Sequence, residues 1–379
     1  MNDISAQTGL TGRLTVDLGA IVRNWRALDK VSEGVLTGAV VKADAYGVGL
    51  VPASRALFAA GARFFFVATP DEAVNLRSAL PEAHIFVLDG LYPGAAALYA
   101  HERLMPAICS LGMLEEWLRY CAEKGQAFPA ALHFDTGMNR LGIRLGELSI
   151  VRGHMAQLGY QPQMVMSHFA CADQPSHEKN RTQLALFQSL MTQFPNIPAS
   201  MANSAALMTS RAHHFQLVRP GIALFGGRAV SGRRNPMMPT VRLEIPILQV
   251  KEAKTGETVG YGATQTLTRD SRLAILGIGY ADGLFRALSG SNTRPGGKVA
   301  IRGKPCPILG RVSMDLVVVD ITELGGDIPL PGEMAEVLGN TVMVDDLADA
   351  AGTIGYEILT SLKGRYPREY INAPLAMGA

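Results

Sequence analysis

Ala39-Val40-Val41-Lys42-Ala43-Asp44-Ala45-Tyr46-Gly47-Val48-Gly49 runs from small and β-branched residues into one lysine, then turns through a tyrosine and two glycines. An apolar run of this kind, bounded by Gly38 and Gly47, reads as a buried strand. A lysine at the end of such a strand is costly unless it is paired, neutral or covalently used. Two readings stand at this point. One is an ammonium that snorkels to water; the other is a Schiff-base lysine, its amine held partly desolvated as a nucleophile. Taken alone, the stretch favours the first.

Outward from it, short apolar runs alternate with longer amphipathic stretches. Strands are expected over Leu36–Ala43, Arg63–Thr69, His84–Gly90, Met105–Ser110, Ala130–Thr136, Gln163–Ala170, Ala199–Ala206 and Phe215–Arg219. Helices are expected after Pro70, which suits an early helical position, and over Leu111–Lys124 and Lys179–Phe194. Eight strands separated by helices predict an α/β fold, a closed (β/α)8 TIM-like barrel. Lys42, Asp135 with Thr136, His168, Asn203 with Ser204, and Arg219 then fall at the C-terminal ends of strands, the face that carries the active site in such barrels. Asp135 or Ser204 alone reads equally well as a turn or capping residue. Together these residues mark a rim.

The composition shifts between Gly226 and Pro239, where Gly, Arg, Ser, Asn and Pro dominate. Beyond it, strands are expected over Val241–Glu252, Leu273–Ile278, Lys298–Arg302, Leu316–Ile321 and Met334–Leu338, with helical segments around Asp345–Ala351 and Gly355–Leu362. This divides the chain into a barrel domain over 12–238 and a mostly-β domain over 239–379, which 1–11 could join; Leu14–Leu18 alternates like a strand and fits either. The 379 residues carry a net charge of only +2, so no strong field favours nucleic acid or a membrane surface. Cys109, Cys121, Cys171 and Cys306 are scattered with no CxxC pair, which argues against a zinc site or disulfide framework and fits a reducing compartment; no metal is expected. No signal peptide is visible in Met1–Leu10 and no uncharged apolar run is long enough to span a bilayer, so a soluble, cytoplasmic protein is expected.

Gly221-Ile222-Ala223-Leu224-Phe225-Gly226-Gly227 follows the last barrel strand, where backbone N–H groups can meet a phosphate. A lysine, a phosphate cradle and an arginine on one rim point to pyridoxal phosphate, with an imine at Lys42, the phosphate near Gly221 and Arg219 at the ring nitrogen. Asn292–Lys298 ends in Gly-Gly-Lys but lacks the first glycine and final Ser/Thr of a P-loop, and is set aside.

Ordered motifs then run along nearly the whole chain. They are Val41–Gly47, Asp135–Gly142, Ser167-His168-Phe169-Ala170, Ala202-Asn203-Ser204-Ala205, Val218–Ile222, Gly260-Tyr261-Gly262-Ala263-Thr264, Gly279-Tyr280-Ala281-Asp282-Gly283 and Gly310–Asp315. On these the sequence resembles the alanine racemase family, pyridoxal-phosphate enzymes of fold type III with a barrel and a C-terminal β domain. The resemblance implies interconversion of L- and D-alanine by two bases, through an imine between substrate and cofactor. Lys42 would serve the D-isomer's proton and Tyr261 the L-isomer's. A tyrosine is a poor base at neutral pH unless its phenolate is stabilised, and the resemblance offers His168 and Arg219 for that. An arginine does not readily give up a proton, so the ring nitrogen would stay unprotonated and transamination would be suppressed. Tyr46, Ser204, Gly221, Ile222 and Tyr356 match phosphate-binding positions, with His168 and Asn203 near the cofactor. Arg140 matches the residue that holds the substrate carboxylate, and Met314 one that offers it a backbone N–H; Tyr280 and Asp173 match entrance positions. Tyr261 and Met314 would come from the partner of an obligate homodimer. The runner-up is a racemase of the same fold acting on serine or larger amino acids.

Two departures from the family pattern stand out. Val48 replaces a common histidine, which alters packing or loop polarity. His133 stands where many members have a carbamylated lysine that orients the arginine; histidine forms no stable carbamate, so a chloride or a neighbouring side chain is expected to hold Arg140.

Overall fold

A computed structural model describes residues 11–362 and 364–374. Contacts divide the chain into two units, one mainly 21–224 and the other mainly 238–373 with the N-terminal segment.

In the first unit the strands are short and consecutively parallel. Leu36–Thr37 and Ala39–Val40, broken at Gly38, are followed by Phe64–Val67, His84–Val87, Leu104–Ile108, Ala131–Asp135, Met164–Met166, Ala199–Ser200 and Leu217–Val218. Each pairs with the next through Met164–Met166 and Ala199–Ser200, and Leu217–Val218 returns to Leu36–Thr37. The last gap closes through Gln216 N to Ala199 O (3.1 Å), Arg219 N to Ala202 O (2.8 Å) and Ser200 Oγ to Leu217 O (2.6 Å). The result is the expected (β/α)8 barrel. Its strands read as continuous apolar runs because both faces are buried, one by the barrel interior and one by helices; Phe65, Phe66 and Val67 have no exposed surface. The intervening helices carry their own boundaries. Pro70–Ala79 starts after Thr69, whose hydroxyl accepts from Glu72 N at 3.4 Å. Leu111–Lys124 is capped by Ser110 and stopped by left-handed Gly125, and buries Leu114, Trp117, Leu118 and Cys121 at helical spacing.

In the second unit, Val241–Ala253, Ser271–Leu276, Val317–Asp320, Lys304–Leu309, Lys298–Ile301 and Met334–Leu338 form a closed antiparallel ring. Val241–Ala253 serves both ends of it, pairing Leu243 with Leu338 and Gln249 with Ile275, and shifts register at two irregularities flanking Pro246. Closure leaves no open edge in the ring. Lys304–Leu309 is absent from the strands expected above because Pro305 and Pro307 read as breakers. They are tolerated because only Ile308 and Leu309 pair with Val317–Asp320, so the proline part has a neighbour on one side.

Arg13–Asp17 is a strand, but it pairs antiparallel with Val241–Ala253 and parallel with Arg368–Ile371. The expectation that the barrel domain starts at residue 12 is therefore corrected: this strand lies in the C-terminal sheet. Its alternating pattern buries Leu14 and Val16 and carries no information about which sheet accepts it. Among the described residues no helix is long and apolar enough to cross a membrane, and no cluster of three metal-ligating side chains occurs.

Candidate active site

Lys42 leaves its strand into an unusual turn. Ala43, Asp44, Ala45 and Tyr46 all have φ between 53° and 58°. Four non-glycine residues in the left-handed region cost roughly 4–8 kcal/mol together, at roughly 1–2 kcal/mol each. The turn closes on itself through Ala45 N to Val41 O and Gly47 N to Ala43 O, both 2.8 Å. Outside help comes from Glu72, whose Oε1 accepts from Ala43 N at 2.6 Å, and the turn's own Asp44 accepts from Leu50 N through Oδ1 at 2.7 Å. The turn brings the Tyr46 hydroxyl over Gly221: a Cβ built there would lie 2.1 Å from that oxygen. Only glycine fits.

Gly221 N also donates to Ser204 Oγ at 2.8 Å, and Ala223 N approaches the same oxygen at 3.4 Å. Asn203 Oδ1 caps the helix Ser204–Thr209 by accepting from Ala206 N at 3.0 Å. Among the described residues nothing accepts from Ile222 N. Tyr46, Ser204, Gly221 and Ile222 thus meet at one end of adjacent strands, and Asn203 serves first as a cap.

Arg219 is buried and has no carboxylate partner among the described residues. Its guanidinium donates to Ser200 Oγ (2.5 Å) and Ser167 O (2.7 Å), lies 3.4 Å from His168 Nδ1, and sits 5.9 Å from the Phe66 ring centroid. Burial draws its pKa down to about 9, so it remains a cation at neutral pH. His168 is held well below the usual imidazole range by desolvation first, then by Arg219, Arg140, His133 and Lys42. It is neutral and can accept from Arg219. Behind it, the fully buried Gln183 donates to His168 O at 2.9 Å and accepts from Ala170 N at 2.9 Å.

Arg140 lies on a loop wound around Asp135, whose Oδ1 accepts from Gly137 N and Met138 N at 2.8 Å and whose Oδ2 accepts from Asn139 N at 3.0 Å. Burial opposes ionisation of Asp135, but these N–H donors outweigh it and lower its pKa. Gly142 closes the loop at φ 136°, where a Cβ would strike Asp135 N at 2.5 Å. His133, on the same strand, is 3.7 Å from Cys109 Sγ. Desolvation, then Arg219 and Arg140, lower its pKa to about 4. Among the described residues no side chain accepts a hydrogen bond from Arg140, so the neighbouring side chain expected to hold it is not found.

Tyr261, Met314 and Tyr356 belong to the C-terminal unit. Tyr261 sits at the tip of a hairpin between Thr258–Val259 and Gln265–Thr266, and is 73% exposed. Gly262, beside it, abuts the Arg311 guanidinium, so the hairpin tip and the Gly310–Asp315 loop adjoin. Met314, 55% exposed, accepts from Ala281 N through its carbonyl at 3.0 Å, while among the described residues nothing accepts from its N–H. Its neighbour Asp315 is held by Arg365 at 2.7 Å, and the same guanidinium reaches the buried Asp282 at 2.9 Å. Tyr356 is half-buried on the short helix Gly355–Thr360.

Sequence reasoning did not single out Glu72, Gln183 or Ser200. The one local signal is that Gln183 falls in phase with Phe187 and Leu190, a polar residue in an apolar helical stripe. The donor set fits pyridoxal phosphate. Ser200, Ser167 and His168 do not use all five N–H donors of the buried Arg219, so a pyridine nitrogen could take up one of the rest, and the hydroxyls and amides around Gly221 suit a phosphate.

Two family models cover nearly the whole chain: the alanine racemase N-terminal domain matches 16–229 and the alanine racemase C-terminal domain matches 240–370. The alanine racemase of Rhizobium meliloti is 44% identical over 95% of this chain and 97% of its own length. Agrobacterium fabrum has alanine racemases named biosynthetic, 45% identical over 95% of this chain and 94% of its own, and catabolic, 42% identical over 97% and 94%. Among solved structures, alanine racemase from Bartonella henselae with covalently bound pyridoxal phosphate superposes with a TM-score of 0.89, 36% identity, and coverage of 95% of this chain and 99% of that one. With both domains matched in order over the geometry described, the chain belongs to the alanine racemase family.

Proposed function

We propose that this chain interconverts L-alanine and D-alanine with pyridoxal phosphate. The observation that carries the reading is the buried, carboxylate-free Arg219 beside a neutral His168 on the rim that presents Lys42 and the Tyr46–Gly221 cradle. When bound, pyridoxal phosphate makes the α-carbon acidic by taking up its charge. The protein must then hold the amino acid and move one proton on each face. Lys42 Nζ handles the proton of the D-isomer and Tyr261 Oη that of the L-isomer. Arg140 and the Met314 N–H hold the carboxylate. Tyr46, Ser204, Gly221, Ile222 and Tyr356 hold the phosphate, with His168 and Asn203 close by. Arg219 would face the ring nitrogen and, as a guanidinium that does not readily surrender a proton, would leave it unprotonated, which would limit electron withdrawal and disfavour transamination.

The working form is a homodimer in which Tyr261 and Met314 serve the partner's site. Their exposure of 73% and 55% supports this, being high for such side chains. Four free thiols suit a cytoplasmic setting. Relatives named alanine racemase at 42–45% identity favour alanine over serine.

The test is α-proton exchange in heavy water with L-alanine, D-alanine and serine. Tyr261→Phe should lose exchange from L-alanine while keeping much of it from D-alanine; undiminished racemisation would refute the two-base reading. Mixing inactive Lys42→Ala and Tyr261→Ala proteins should restore up to roughly a quarter of the sites, because a mixed dimer has one intact composite site. No restoration would argue against sharing across subunits.

A further inference from the structure

The left-handed turn that begins at Lys42 is tied to the neighbouring barrel strand by one side chain that the site has no other use for. Glu72 is the third residue of the helix Pro70–Ala79. At that position a glutamate ordinarily reaches back to the N–H of its own cap residue. Here Oε1 accepts from Ala43 N at 2.6 Å and approaches Asp44 N at 3.4 Å, while Oε2 accepts from Ala68 N at 2.8 Å. Ala68 directly follows the strand Phe64–Val67, which pairs with Ala39–Val40. One carboxylate therefore bridges the ends of two adjacent strands, and its charge suits the helix N-terminus. The residues it grips, Ala43 and Asp44, are the first two of the left-handed run. That run fixes the departure of Lys42 on one side and delivers the Tyr46 hydroxyl to Gly221 on the other.

We propose that Glu72 is a positioning residue, holding the strained turn so that Lys42 and Tyr46 stay aimed into the site. The proposal rests on the reading of Lys42 as the D-isomer's base. Its consequence is asymmetric: loosening the turn impairs the lysine's half of the reaction before the tyrosine's half, because Tyr261 is carried by the other unit. It also weakens the phosphate cradle.

Glu72→Ala removes both arms of the bridge. Glu72→Gln keeps one acceptor oxygen, but its NH2 group faces a backbone donor, so it should fall between wild type and Glu72→Ala. In the apoprotein, hydrogen–deuterium exchange over residues 43–49 should speed up about tenfold in Glu72→Ala, the scale of losing charge-assisted hydrogen bonds, with the other barrel strands unchanged. In the loaded enzyme, α-proton exchange from D-alanine should fall about tenfold more than exchange from L-alanine. A uniform rise in amide exchange across the barrel, or wild-type exchange over 43–49 in both variants, overturns the proposal. So does a parallel loss of both isomers' exchange at saturating pyridoxal phosphate. A Lys42→Ala control separates the two ideas. If it shows no preferential loss of D-alanine exchange, the reading of Lys42 fails, and the apoprotein measurement alone still decides whether Glu72 holds the turn.

Discussion

His133 offers a test in which structure, charge and pH are tied together. It is buried on the strand that leads to Arg140, against Cys109, with Arg219 and Arg140 close enough to oppose a second positive charge. Desolvation and those arginines lower its pKa to about 4 from an unfolded value near 6.5. The unfolded chain therefore binds the extra proton first as pH falls, and the folded state loses stability over that interval. The contribution is fully present above pH ~6.5, is lost as pH falls towards about 4, and levels off below that. A fall of about 2.5 units, at about 1.4 kcal/mol per unit, is worth about 3 kcal/mol. His133→Asn removes the titration. The assay is urea unfolding of wild type and variant in parallel between pH 7 and pH 4. Wild type should lose about 3 kcal/mol relative to the variant over that range. His168, also held neutral by burial and positive neighbours, acts in the same direction in both proteins and largely cancels in the difference. Parallel pH profiles, or an NMR titration of His133 near 6.5, would refute the reasoning.

Two further outcomes follow from the packing. Gly221→Ala places a methyl 2.1 Å from the Tyr46 hydroxyl and should weaken pyridoxal phosphate binding at least tenfold, by about 1.4 kcal/mol or more. Adding Tyr46→Phe removes the worst clash and should recover thermal stability without recovering affinity; fluorescence titration and thermal unfolding read the two separately. Gln183→Leu strands the His168 carbonyl and the Ala170 N–H, and should cost about 2–5 kcal/mol in urea unfolding. A neutral result there would mean the network around His168 does not depend on Gln183.

The alternation of apolar runs with helical stretches was legible because each signal is local. Parallel strands buried on both faces read as unbroken apolar runs, as in Phe64–Val67, and helices show their period and caps, as in Leu111–Lys124. Several rim residues were legible for a related reason: polar side chains at strand ends interrupt that pattern. The left-handed turn over Ala43–Tyr46 was not. It contains no glycine, and one of its backbone hydrogen bonds goes to Glu72, which lies on another element. Lys304–Leu309 was hidden by its prolines, whose tolerance depends on which side of the strand is paired.

The sequence by itself determined the alternation of strands and helices in the barrel, the strand that leads to Lys42 and the motifs that place the chain in its family. Tertiary structure alone decided that Arg13–Asp17 joins the C-terminal sheet, that Gln183 supports His168, and that His133 and His168 are neutral. The physical reason is separation along the chain. Propensity and periodicity act over a few residues, whereas partner strands, buried hydrogen bonds and shifted protonation arise only when distant segments exclude water together.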